Sequence, residues 1–223
     1  MNDQTSASGL SLAVEDAAPP ATRKRPKPGE RRVQILQALA AMLEQPGAER
    51  VTTAALAARL EVSEAALYRH FASKAQMFEG LIDFIEQSVF SLINQILEQA
   101  PADSTADARA VGAGQAARII AMLLQFAEKN PGMTRVMVGD ALVFENERLQ
   151  QRMNQFFDKI ESTLRQSLRE VAAADGSATP TVDAQVRASA LTAFAVGRLQ
   201  RFARSGFKRL PSEHLEASVA LML

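Results

Sequence analysis

Between Leu149 and Val171 the apolar residues Leu149, Met153, Phe156, Ile160, Leu164, Leu168 and Val171 recur at intervals of three and four. That spacing puts them on one face of an α-helix. The same period covers Glu30–Leu43, through Val33, Ile35, Leu36, Leu39, Met42 and Leu43. It returns over Lys74–Gln99, in a stretch ending near Lys129, and from about Val182 to Arg204. The breaks are "EQPGAE", "APADSTADA", "NPG" at Asn130–Gly132 and "AAADGSATPT", all rich in residues that stop helices. No alternating pattern of useful length and no internal repeat is present. The expectation is an all-α chain, with its longest late helix over about Phe144–Val171 and a short helix after Pro211.

Composition narrows the chemistry. The 223 residues are 47% hydrophobic and 22% charged, as expected for one large or two modest globular domains. Cysteine is absent, which excludes disulfides, thiolate metal sites and a cysteine nucleophile. No apolar run approaches the ~18 residues of a membrane span, and the N-terminus lacks a secretory stretch. A cytoplasmic protein without a membrane segment is expected. His70 and His214 are far apart, and no glycine-rich phosphate loop or nucleophile elbow occurs; no enzyme, cofactor or metal is expected.

The segment "VTTAALAARLEVSEAALYRHFASK" carries the function. Thr52 or Thr53 suits the N-cap of "AALAARL", Ser63 that of "EAALYRHF", and Ser73 that of the long helix that follows. Two short helices joined by a tight turn, after a longer one, form a helix-turn-helix. Its second helix would present Ser63, Glu64, Ala65 and Ala66 to base edges. Glu64 has two readings, an acceptor for a cytosine amino group or a charge suited to the helix N-terminus. Tyr68, Arg69, His70 and Lys74 suit the flanking phosphates, as do Arg31 and Arg32 on the first helix. Tyr68 and His70 could equally pack with their polar tips satisfied. Leu56, Ala57, Leu60, Val62, Leu67 and Phe71 are assigned to the motif's core.

Charge agrees with a double-stranded DNA partner. The chain is formally neutral, yet residues 23–74 hold ten Lys/Arg against five Asp/Glu, a local +5 beside the motif. Residues 1–28 read as a disordered tail whose basic end (Arg23, Lys24, Arg25, Lys27) is either a DNA-following arm or a solubilising tail.

The stretch "VTTAALAARLEVSEAALYRHFASKAQMFEGLI" is similar to the DNA-binding region of the TetR family of bacterial regulators. The shared features are the threonine-capped helix, the "VS" turn, "LYRHF" and the following "SK". The resemblance implies helix-turn-helix DNA binding over residues 29–75 and a helical dimerisation and partner-binding domain over 76–223. Glu61 departs from the family's frequent turn glycine; a left-handed residue there costs roughly 1–2 kcal/mol. "EKNPGMTRVMVGDALVFENERLQQRMNQFFDKIE" and "RFARSGFKRLPSEHLEA" resemble the family's nucleoid occlusion branch more narrowly. That resemblance implies a homodimer on palindromic, nucleoid-associated sites that blocks assembly of the tubulin-like division protein FtsZ. It also implies Phe84, Lys129 and Asn130 as partner contacts.

On the Lys74–Gln99 helix, Phe78, Leu81, Ile82, Ile85, Val89, Leu92, Ile93 and Ile96 form one stripe. Phe84 with Met77, and Phe90 with Leu97, lie roughly 100–120° to either side. Either other helices cover both flanks, or one flank is an exposed docking surface. Dimerisation is expected through the last two long helices, with Phe156, Ile160, Leu164, Ala190, Phe194 and Gly197 as candidates. Within one chain these could also be core. A ligand-responsive repressor would share the DNA-binding half and line an apolar pocket with Met77, Met122, Phe126 or Phe157.

Overall fold

The computed structural model describes residues 29–45, 51–99 and 107–223. The tail over 1–28, and most of the "EQPGAE" and "APADSTADA" breaks, lie outside the described residues. Every regular element among those described is helical: α1 (Glu30–Leu43), α2 (Thr53–Arg59), α3 (Glu64–Tyr68), α4 (Lys74–Glu98), α5 (Ala108–Lys129), α6 (Pro131–Met137), a 3-10 turn at Asp140–Leu142, α7 (Glu147–Ala174), α8 (Pro180–Arg204) and α9 (Leu215–Ala220).

Two boundaries differ from the sequence pattern. "NPG" does end α5, but Pro131 also opens a further helix, α6, because the first helical turn leaves the missing proline N–H unneeded. The long α7 starts three residues later than expected, where Asn146 Oδ1 accepts from Arg148 N at 2.9 Å; residues 140–142 form the 3-10 turn instead.

The core is continuous from α1 to α9. α7 and α8 pair antiparallel, with Gln185 near the start of α8 bonding Glu161 well along α7 (2.6 Å). α5 crosses α7 so closely that a Cβ at Gly112 would sit 2.4 Å from the Ser167 carbonyl oxygen. α5 is the one helix among those described that is long and apolar enough to cross a membrane. Its Ala116, Ile119, Ile120, Leu123, Leu124 and Ala127 are buried in the core.

α4 joins the helix-turn-helix head to this bundle and runs parallel to α7. A ladder of ion pairs links them: Lys74 with Glu145, Glu79 with Arg148, Asp83 and Glu86 with Arg152, and Glu86 with Lys159. The Lys159 hydrogen bond, followed by the charges of Lys159 and Arg152, holds the Glu86 carboxyl below its ordinary range despite partial burial. Head and bundle also meet at Gly132, where a Cβ would lie 1.9 Å from the Ala40 carbonyl oxygen.

The two flanks of α4 have different fates. Phe90 is covered, edge-on to Phe156 at 5.9 Å between ring centroids. On the other flank Met77 is buried beneath the head, whereas Phe84 stands beyond it at 42% exposure. Leu92, expected within the buried stripe, is 37% exposed. The head covers that side only as far as Gly80, which packs on Phe71 and Leu36, so further along the helix the same side is open.

Candidate nucleic-acid interface

Three side-chain caps set the head. Thr52 Oγ1 accepts from Ala55 N (3.2 Å), Ser63 Oγ from Ala66 N (3.3 Å) and Ser73 Oγ from Gln76 N (3.2 Å). Each satisfies an amide that the first helical turn leaves without a partner. Between α2 and α3 the chain makes a full left-handed helix stop: Val62 N bonds Ala57 O (3.0 Å) and Glu61 N bonds Ala58 O (3.1 Å). Glu61 holds φ 54° where this motif favours glycine. The turn geometry is thus kept, with local strain accepted at Glu61. Leu56, Ala57, Leu67 and Phe71 are buried, and Leu60 and Val62 pack against them.

The surface this creates gathers most of the expected residues. Ser63, Glu64 and Ala65 are exposed and Ala66 is half-buried at the start of α3; Tyr68, Arg69 and His70 are exposed at its end. Tyr68 is 45% exposed. Glu64 Oε2 accepts from the Thr53 hydroxyl at 2.5 Å, which ties the starts of α2 and α3 together.

Arg32 is placed differently from a free phosphate contact. Its guanidinium lies 4.1 Å over the Phe71 ring and donates to the His70 carbonyl at 2.8 Å, so it braces the end of α3. Arg31 donates to Gln34 Oε1 at 2.9 Å. Lys74 is likewise engaged, its Nζ 2.5 Å from Glu145 Oε1 and 5.7 Å from the Phe78 ring centroid. Nothing in the sequence pairs Glu145 with Lys74; only folding brings them together.

The dimer candidates separate. Phe156, Ile160 and Leu164 are 0–1% exposed within the single chain, which fits the alternative reading that they are core of one chain. The α7 stripe is consumed by α5 and α8. The α8 residues remain open: Ala190 is exposed, Phe194 is half-buried beneath Arg198 (4.9 Å), and a Cβ at Gly197 would meet nothing within 4 Å. Val182 and Val186, 59% and 63% exposed, extend the same α8 face and were not singled out by sequence.

Of the partner candidates, Lys129 is exposed, while Asn130 caps the end of α5 through Nδ2 to the Phe126 carbonyl (2.7 Å). Of the residues considered for a ligand pocket, Met77 is core and Met122 and Phe126 pack against it. Phe157 lines a groove of about 650 Å³ between α7 and the end of α8.

Comparison with known proteins agrees with this geometry. Residues 35–81 match the family of bacterial regulatory proteins of the tetR type, and residues 114–223 match a tetracyclin repressor-like, SlmA-like C-terminal domain. Nucleoid occlusion factor SlmA of Vibrio vulnificus (strain YJ016) is 51% identical over 88% of this chain and 95% of its own. SlmA of Idiomarina loihiensis is 49% identical over 86% and 93% respectively. Among solved structures, the transcriptional regulator FadR from Bacillus subtilis in complex with stearoyl-CoA is 14% identical, with a TM-score of 0.65 over 85% of this chain and 96% of its own. PfmR from Thermus thermophilus is 20% identical, with a TM-score of 0.63 over 86% and 95%; both share the fold alone. The chain therefore belongs to the SlmA family of nucleoid occlusion factors, DNA-binding proteins built on the TetR-family fold.

Proposed function

We propose that the chain binds palindromic chromosomal sites as a homodimer and, when bound, blocks FtsZ assembly over the nucleoid in the cytoplasm. Residues 29–75 read DNA in this scheme, and 76–223 dimerise and hold the partner. A single recognition helix reads few base pairs, so two heads reach half-sites about 34 Å apart. Ser63, Glu64, Ala65 and Ala66 face base edges; Tyr68, Arg69, His70 and Lys74 face phosphates, with Thr52, Thr53, Arg31 and Arg32 holding or flanking that surface. No cofactor or metal enters the scheme.

The observation that carries the FtsZ reading is the open flank of α4. Phe84 and Leu92 are exposed on the same helix whose first turn, at Ser73 and Lys74, this scheme assigns to DNA. One rigid element thus spans both surfaces, with Lys129 and Asn130 as further contacts. The test is FtsZ sedimentation with purified protein, with and without a duplex carrying its site. Inhibition that requires the duplex, and that Phe84→Ala abolishes while duplex affinity holds, supports the reading. Equal FtsZ assembly in all samples, or a small ligand that releases the protein from DNA, would instead indicate a conventional repressor.

A further inference from the structure

From Ala184 to Ser212 the chain has six Lys/Arg and no Asp or Glu. Arg187 pairs with Asp175 at 3.0 Å, and Arg198 bonds Ser218 and covers Phe194. Arg201, Arg204, Lys208 and Arg209 are all exposed, and none has a carboxylate partner among the described residues. Four like charges within nine positions repel one another, so something other than mutual attraction must hold them together.

A built turn does so. Phe207 N bonds Phe202 O (2.9 Å) and Gly206 N bonds Ala203 O (3.1 Å), a full left-handed stop at the end of α8. Phe207 itself keeps φ 64°, a conformation unfavourable for a side chain with a Cβ. Its ring packs edge-on to Phe202 (5.1 Å), and the Arg135 guanidinium lies 5.3 Å from its centroid. Ser205 Oγ then accepts from both Lys208 N (3.1 Å) and Arg209 N (2.9 Å). The four cations are displayed on a fixed scaffold.

Its position in the fold points to DNA. Val196 and Gln200 share a groove with Gln150, Met153 and Phe157, so the last turn of α8 lies level with the first turn of α7. That end of α7 is tied to the head-proximal end of α4 through Glu145–Lys74 and Arg148–Glu79. Arg201 and Arg204 also continue, at helical spacing, the open α8 stripe of Val182, Val186, Ala190, Ala193 and Gly197. Two chains paired along that stripe would bring their cations together beside the twofold axis, between the two reading heads.

We propose that Arg201, Arg204, Lys208 and Arg209 form a second DNA contact, which binds the phosphate backbone of the spacer between half-sites and reads no sequence. This rests on the DNA-binding dimer proposed above. The test compares the wild-type chain with R201Q/R204Q/K208Q/R209Q on a specific duplex chosen by the wild-type protein from random sequence, across a salt series. With at least one phosphate per protomer, the slope of log affinity against log salt should shrink by about 2, so that the affinity lost between about 0.05 and 0.2 M salt should be about tenfold smaller for the variant. Preference between specific and scrambled duplexes should not change, because phosphates carry no base information. Uncharged methylphosphonate linkages confined to the spacer should weaken the wild-type chain and leave the variant unaffected, an arm that needs no assumption about the variant's folding. Unchanged slope and affinity in the variant would overturn the proposal. So would loss of binding to phosphatidylglycerol vesicles with DNA binding intact, which would assign the patch to a lipid surface. If the wild-type chain selects no duplex, the DNA-binding reading fails first and takes this one with it.

Discussion

Lys74 Nζ lies 2.5 Å from Glu145 Oε1 and bridges the first turn of α4 to the segment leading into α7. The same ammonium stands beside Ser73, where a phosphate would meet the free amides at a helix start. If Lys74 serves the phosphate backbone as proposed, Glu145 and DNA compete for one cation. Glu145→Gln removes the protein's claim without removing Lys74, so affinity for the specific duplex should rise about threefold, the worth of a partly exposed ion pair. Lys74→Ala should lower it. Anisotropy titration at matched salt decides: equal affinities for E145Q and wild type would mean that Lys74 stays with Glu145 on DNA.

Gly132 and Gly114 make a matched pair. A Cβ on Gly132 would fall 1.9 Å from the Ala40 carbonyl oxygen, and backbone on both sides leaves no flexible group to yield. Gly132→Ala should cost about 3 kcal/mol and loosen the junction of head and bundle. At Gly114, inside α5, a Cβ meets nothing within 4 Å, so Gly114→Ala should stabilise by about 0.5–1 kcal/mol through helix propensity. Urea unfolding of both variants tests the contrast, and similar midpoints would remove the close-approach argument.

Periodicity and capping residues made much of this fold legible. Thr52, Ser63 and Ser73 announced their helices because a cap is a local device, read within three residues. Glu61 could be placed in a left-handed turn only through the resemblance, since the family often has glycine at that position. α6 was hidden because Pro131 looks identical whether it ends one helix or opens the next. Phe156, Ile160 and Leu164 could not be told from interface residues, since an apolar stripe does not state which partner covers it. Arg32 and Lys74 looked like free cations; their partners, the His70 carbonyl and Glu145, are 38 and 71 positions away. Only the fold brings such pairs together.

Acid should act on the ladder between α4 and α7. Glu86 is held below its ordinary value of 4.5, first by the Lys159 hydrogen bond and then by the charges of Lys159 and Arg152. A carboxyl with a depressed folded value adds stability that is fully present above its unfolded value and is lost as pH falls through the folded one. Glu86→Gln should therefore cost about 0.5–1 kcal/mol at neutral pH, and the cost should fade in acid. Unfolding midpoints of wild type and E86Q, followed from about pH 7 to about pH 3, should converge. A constant gap across that range would mean that the charge on Glu86 contributes nothing to stability.

Val186 tests the proposed pairing face most directly. At 63% exposure it has little to pack against within its own chain, so a charge there should hardly disturb the fold. In a dimer joined along α8, Val186 faces its own counterpart or a near neighbour across the axis, and Val186→Glu would bury like charges without partners. The variant should unfold within about 0.5 kcal/mol of wild type when both are measured as monomers, yet sediment as a monomer where wild type is a dimer. Its affinity for a palindromic duplex should then approach that for a single half-site, because one head can no longer deliver the second. A V186E chain that still sediments as a dimer and still distinguishes the palindrome from the half-site would place the twofold contact on another face. It would also move Arg201 and Arg204 away from the axis.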